Sequence, residues 1–129
     1  MGIQVEWDNA EKTIIRHIYE GMWTIDDYYG LIDENFRQID SVDHRVDIIN
    51  DLRNMTGMPH NMAPAVRYAA RKAHEREGIN VMVSSPRYVQ MLVDAIDRAV
   101  GKPTQVIYTG TMEEAREIIA KSRAEQAGK

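Results

Sequence analysis

Three short apolar runs rich in β-branched residues, around Val46, Ile48 and Ile49, around Val81 and Val83, and from Gln105 to Tyr108, constrain this chain more than any other feature. Each is followed, at once or after a loop, by a helix-start signal and an apolar period of 3.6 residues. A strand that returns beside its predecessor in the same direction needs a crossover, and a helix in every gap supplies one. The last three strands are therefore expected to run largely parallel, with the helices covering the sheet.

Upstream, Ile3, Val5 and Trp7 alternate with polar residues, and the turn formers from Asp8 to Lys12 lead to a second alternating run, Thr13 to Trp23. That pattern predicts a hairpin. Ile14, Ile18 and Met22 keep no strict phase, and Gly21 reads as a bulge or a strand end. Thr24 is placed to cap a first helix, with Asp26 and Asp27 in its first turn and Ile25, Tyr28, Ile32, Phe36 and Ile39 as the inward stripe. A buried strand follows from His44 to Leu52, then an irregular stretch from Arg53 to His60. The second helix is expected from Asn61 as cap to about Glu77. Pro64 falls in its first turn, Gly78 ends it, and Met62, Val66, Ala69 and Ala73 face inward.

The third strand of the core spans Asn80 to Ser84. Ser85 then caps a third helix with Pro86 at its first position and Val89, Leu92, Val93, Ile96 and Val100 inward, stopped by Gly101-Lys102-Pro103. Thr111 with Glu114 forms a capping-box signature for the last helix, whose inward residues are Met112, Ala115, Ile118 and Ile119. The order reads β-β-α-β-α-β-α-β-α. It predicts one α/β domain over residues 1–121 and a polar, frayed tail over 122–129.

Composition excludes several classes. A chain of 129 residues with 43% hydrophobic and 28% charged residues suits a single folded core. A net charge of -4 argues against nucleic acid as a partner, since phosphate neutralisation needs a basic surface. Cysteine is absent, which removes disulfides and thiolate chemistry and suits a reducing compartment. Glu6 and Asp8 interrupt any signal-like run, and no stretch approaches the ~20 apolar residues of a membrane span. The expectation is a cytoplasmic protein without membrane insertion.

The strand and loop Ile48-Ile49-Asn50-Asp51-Leu52-Arg53-Asn54-Met55-Thr56-Gly57-Met58, set in that element order, resemble the STAS domain, the sulfate-transporter and anti-sigma-factor-antagonist module. The resemblance covers nearly the whole chain. It implies a STAS-like fold and a regulatory or protein-interaction role. Where the bacterial antagonists carry Asp-Ser-Ser-Gly, with its phosphorylated serine, this chain reads Pro59-His60-Asn61-Met62. The chain is thus similar to the uncharacterised SpoIIAA-like proteins that keep the fold without that motif.

Two sets of residues follow as candidates. For a non-catalytic interaction module, homodimer included, they are Arg53, Met55, Met58, His60, Asn61 and Met62 on the loop, with Arg67 and Arg71 on the basic face of the second helix. For a sensor or carrier of a small anionic or apolar ligand, they are Asp51, Ser84, Ser85, Thr109 and Thr111 at the strand ends, where ligands of parallel sheets gather. The plainer readings are caps, loop-fixing hydrogen bonds and a solvated helix face. An acid-base pair of His60 and Asp51 is a third reading, but no nucleophile elbow, phosphate loop or zinc motif accompanies it. The four histidines, His17, His44, His60 and His74, lack metal-ligand spacing, and no cofactor is called for.

Overall fold

In the computed structural model, which describes residues 2–100 and 106–127, the N-terminal alternating segments pair as strands β1 (Gly2–Trp7) and β2 (Ile14–Gly21), antiparallel. Asn9 fixes the turn between them. Its Oδ1 accepts the Thr13 and Ile14 N–H groups at 3.0 and 3.2 Å, and its amide nitrogen donates to Thr13 Oγ1 at 2.6 Å.

Helix α1 (Ile25–Asp40) starts at a complete capping box: Thr24 Oγ1 accepts from Asp27 N at 3.0 Å, and Asp27 Oδ2 accepts from Thr24 N at 2.8 Å. Strand β3 (Val46–Met55) follows, then α2 (Ala63–Arg71), β4 (Glu77–Val83), α3 (Arg87–Val100), β5 (Val106–Thr109) and α4 (Met112–Ala127). The five strands lie in the order β1-β2-β3-β4-β5. Only β1 and β2 are antiparallel, and every later pair is parallel. β3 sits at the centre, and its first seven residues are all buried, as a strand covered on both faces requires.

The helices divide unequally between the two faces. Residues of α1, α2 and α3 pack with Tyr19, Trp23 and Leu52 on one side. On the other, Met112, Ala115 and Ile119 of α4 close over Ile14, Ile49, Val81 and Val83. A third cluster joins Ile15, Ile39 and Val46 where α1 ends.

Several expected boundaries move. β3 runs on to Met55, so only residues 56–61 remain irregular before α2. Met62, not Asn61, holds the cap position of α2, without a side-chain cap, while Asn61 takes a left-handed backbone with φ 61°. Pro64 falls in the first turn as expected. α2 ends at Arg71 because the chain must turn to pair with β3: Glu77 N bonds His74 O at 3.0 Å and Val46 N bonds Arg76 O at 3.0 Å. Glu77 and Gly78 therefore belong to β4 and end no helix. Of the expected inward residues Met62 is buried, Val66 packs on the core and Ala69 lines the space beneath α2, whereas Ala73 is exposed; Ala65 joins them as the buried residue of the helix itself.

Gly78 has a different task. A Cβ there would overlap Asp47 Oδ1 and Arg45 Nε. Asp47 is fully buried and is held by Arg45 Nε at 2.8 Å, Ile79 N at 2.9 Å and Arg123 Nη1 at 3.0 Å. Through Arg123, and through Ser122 Oγ bonded to Arg45 Nη2 at 3.0 Å, the last turns of α4 are tied to the start of β3. The segment from Ser122 is helical through Ala127. The side chains of Ile96 and Val100, residue Gln105, and the stop at Gly101-Lys102-Pro103 lie outside the described residues. Among the described residues, no helix is long and apolar enough to cross a membrane.

Candidate functional site

Strand alternation sends Ile15, His17 and Tyr19 of β2, Ile48, Asn50 and Leu52 of β3, and Asn80 and Met82 of β4 toward the face beneath α1, α2 and α3. In an otherwise apolar layer, His17, Asn50 and Asn80 make a polar row, with His17 and Asn50 directly opposite in the ladder. Asn35 descends on it from α1, buried one turn from Leu31 and one turn from Ile39.

The row is continuously hydrogen-bonded. His17 Nε2 lies 2.8 Å from Asn35 Oδ1, and His17 Nδ1 lies 3.2 Å from Asn50 Oδ1. Asn50 reaches Asn80 by its amide, and Asn35 Nδ2 donates to Glu77 Oε1 at 3.2 Å. Burial holds the His17 imidazole down at about 4, against the opposing pull of its two asparagine partners, so it is neutral near pH 7. A neutral imidazole donates from only one nitrogen. With Glu77 ionised, Asn35 gives its N–H to the carboxylate and its oxygen accepts from His17 Nε2. Nδ1 then faces the Asn50 oxygen as an acceptor, a mismatch that exchanging the amide oxygen and nitrogen of Asn50 and Asn80 relieves. Burial raises the Glu77 carboxyl above its ordinary value, and the Asn35 hydrogen bond and nearby His74 pull it partly back.

These polar side chains form part of the wall of a cavity of about 400 Å³ between the sheet and the three helices. The rest of the wall is largely apolar and comes from α1, α2, α3 and the loop before α2. At one side stands an aromatic group: Tyr19 and Trp23 meet edge to face at 5.4 Å, and Trp23 stacks on Tyr28 at 5.9 Å. Burial pushes the Tyr28 hydroxyl up to about 12, so it stays protonated. A second, outer groove of about 390 Å³ lies along the loop from Thr56 to Met62 against Tyr88 and Leu92. Met58, Met62 and Leu92 line both spaces and form the partition between them.

The structure separates the residues that sequence reasoning grouped. Met55, Met58 and Met62 line the interior cavity, whereas His60 and Asn61 are exposed along the outer groove. Arg67 and Arg71 are exposed on α2. None of Asp51, Ser84, Ser85, Thr109 and Thr111 lines the cavity. Arg53 clasps both Asp51 oxygens at 2.8 Å, which lowers that carboxyl from its ordinary value. Ser84 Oγ bonds Gly110 O at 3.2 Å, Ser85 Oγ accepts from Gln90 Nε2 at 3.1 Å, Thr109 Oγ1 donates to Thr111 O at 2.9 Å, and Thr111 Oγ1 accepts from Glu114 N at 3.0 Å. The strand-end hydroxyls thus serve turns and caps. Asp51, clasped by Arg53, is not hydrogen-bonded to His60. Among the described residues, no three His, Asp or Glu side chains are grouped to hold a metal ion.

Sequence reasoning missed His17, Asn35, Glu77 and Asn80 as a group. One signal was present: Asn35 shares the helical phase of Leu31 and Ile39, and His17 shares the strand phase of Ile15 and Tyr19. A polar residue in register with a core stripe needs a partner, and here each finds the other.

No protein-family model matches the chain, and no curated protein matches it. Solved structures do. An uncharacterised protein of the DUF3478 family with a SpoIIAA-like fold, from Shewanella loihica PV-4, is similar with a TM-score of 0.65 and 10% identity, over 90% of this chain and 92% of that one. The anti-sigma factor antagonist SpoIIAA in its unphosphorylated form is similar with a TM-score of 0.60 and 14% identity, over 95% and 98%. Together with the element order and the mixed, largely parallel five-stranded sheet, these likenesses establish that this chain has the SpoIIAA-like, or STAS, fold.

Proposed function

We propose that this protein is a sensor or carrier that holds one small, mainly apolar molecule between the sheet and helices α1, α2 and α3. The supporting observation is the cavity of about 400 Å³, mostly apolar but closed on one side by the hydrogen-bonded row from Glu77 to Asn80. Its size and its few convergent polar groups are those of ligand pockets. The pocket is partly open, and a molecule that occupies it removes apolar wall from water. A molecule that fills it therefore stabilises the folded state. The proposed site lies under the helices, not at the strand ends named from the sequence for the alternative, ligand-binding reading.

Nile red, neutral and apolar, tests the reading. It should bind the native protein with 1:1 stoichiometry and raise its melting temperature, and the Ala69→Phe variant, which fills the cavity from α2, should lose binding while remaining folded. Absence of saturable binding, or equal binding by the filled variant, would refute the reading.

A regulatory, protein-interaction role is the second reading, and the exposed apolar side chains favour it. Tyr88 and Met91, 42% and 60% exposed, lie one turn apart on α3, and Tyr88 borders the outer groove. The two readings join if filling the cavity shifts Met58 and Met62, which line the groove from the inside. Crosslinking or affinity capture that depends on both Tyr88 and cavity occupancy would support the joint form; capture unaffected by Tyr88→Ser would sink it.

A further inference from the structure

Glu77 stands out among the groups lining the cavity. Its side chain is half-buried where the chain turns from α2 into β4, and its hydrogen bond from the protein is one neutral amide, Asn35 Nδ2 to Oε1 at 3.2 Å. A carboxylate accepts at about four lone-pair sites, so most of its capacity is directed elsewhere. Two basic side chains could answer it and both are engaged with other groups: the Lys72 ammonium lies 5.0 Å over the Phe36 ring, and His74 Nε2 meets Asp40 Oδ1 at 3.1 Å. The neighbouring row cannot help, because with Glu77 ionised every N–H of His17 and Asn35 that points along the chain is already spent. The cavity thus offers a ligand an apolar body space and, at its polar wall, a carboxyl that takes one hydrogen bond from the protein.

We infer that the ligand's head group is a hydrogen-bond donor of positive charge, an alkyl or aryl amine seated against Glu77 with its apolar body among the side chains of α1, α2 and α3. An anionic head would face the Glu77 carboxylate, with the Tyr28 hydroxyl and the Lys72 ammonium as the donors in the wall. A neutral alcohol would satisfy one lone pair and leave the charge unmet. The raised carboxyl of Glu77 fits this assignment, since an ammonium partner restores the ionised form that burial disfavours.

This inference rests on the cavity being the ligand site, and the experiment separates the two. Decylamine, 1-decanol and decanoate, which share one apolar body and differ in the head, would compete with Nile red at pH 7 below their micellar concentrations. A buried charge-assisted pair should make decylamine bind about tenfold or more tightly than decanol and tighter still than decanoate. Glu77→Gln, of the same shape, should bring decylamine down to the level of decanol while decanol itself is unchanged. Glu125→Gln, exposed on α4 across the sheet, removes the same net charge and should leave the preference intact. Equal binding of the three heads, a preference for decanoate, or an amine preference that survives Glu77→Gln would overturn the head-group inference and leave the ligand site standing. If none of the three displaces bound Nile red, or Nile red does not bind at all, the ligand site falls and the inference with it.

Discussion

Acidifying the protein should reveal the buried His17, because the folded chain cannot protonate it where the unfolded chain can. In the fold its imidazole titrates at about 4, held there by burial against the hydrogen bonds of Asn35 and Asn50, whereas the ordinary value is 6.5. Between those two values the unfolded state binds a proton that the folded state lacks, so stability falls as pH falls. Above pH 6.5 neither state is protonated and the effect is nil. Linkage over that interval gives a loss of about 2 kcal/mol by pH 5 and about 3 kcal/mol by pH 4, relative to pH 8.

His17→Gln isolates the effect, since glutamine keeps polar atoms near Asn35 and Asn50 but does not titrate. Other groups also move in acid. Asp8, clasped by Arg116, and Asp51, clasped by Arg53, have depressed values and lose their contribution only as pH falls through the low carboxylate range. Glu77 has the opposite sign: its value is raised, so its contribution fades as pH rises. Asp8 and Asp51 are present in both proteins and drop out of the difference, and Glu77 does so where the glutamine keeps the hydrogen bond to Asn35. Urea unfolding at pH 8, 7, 6 and 5 would measure it. With a slope of about 2 kcal/mol per M for a domain of this size, the gap between parent and variant midpoints should narrow by about 1 M from pH 8 to pH 5. A gap that stays constant over that range would refute the claim that His17 is buried and neutral.

Three other substitutions test the frame around the site. Gly78→Ala should cost about 3 kcal/mol by urea unfolding, because the added methyl displaces the fully buried Asp47 from Arg45, Arg123 and the Ile79 N–H; a loss under about 1 kcal/mol would show that the cluster yields freely. Gly30→Ala, in the middle of α1 with open space around its Cβ, should instead gain about 0.5 to 1 kcal/mol, read as a rise in melting temperature. Asn35→Leu should destabilise by about 2 kcal/mol or more although leucine suits its apolar surroundings, because His17 Nε2 and Glu77 each lose a partner. An unchanged midpoint for Asn35→Leu would mean that water replaces the amide at no cost.

What the sequence made legible follows from what each signal measures. Strand and helix types were readable because β-branched runs and the stripe from Ile25 to Ile39 report local period, and the parallel pairing of the last three strands follows from a crossover helix in each gap between them. The resemblance carried by Ile48 to Met58 pointed to the same fold. Boundaries around α2 were misread because its end is decided at a distance: Val46 takes the Arg76 carbonyl, and Asp47 demands a residue without Cβ at 78. A glycine after a helical pattern looks the same whether it caps the helix or admits a buried carboxylate. Likewise Ser122 and Arg123 read as a solvated tail until Arg45 and Asp47 are brought beside them.

The candidate site was hidden for a related reason. Hydrophobic period counts only apolar residues, so Asn35 and His17 register as gaps in the stripes they belong to. Their phase nevertheless carries information, because burying an amide or an imidazole without a partner costs about 1 to 3 kcal/mol and a fold retains such a residue where several meet. His17, Asn35, Asn50 and Asn80 come from four elements, and each taken alone is a defect in an apolar face. Taken together they satisfy one another and leave Glu77 as the end of the row with unspent acceptors. A core built only for stability would be served by leucine and valine in that row, so the polar row and the partly open pocket beside it are the two features that the proposed ligand would account for together.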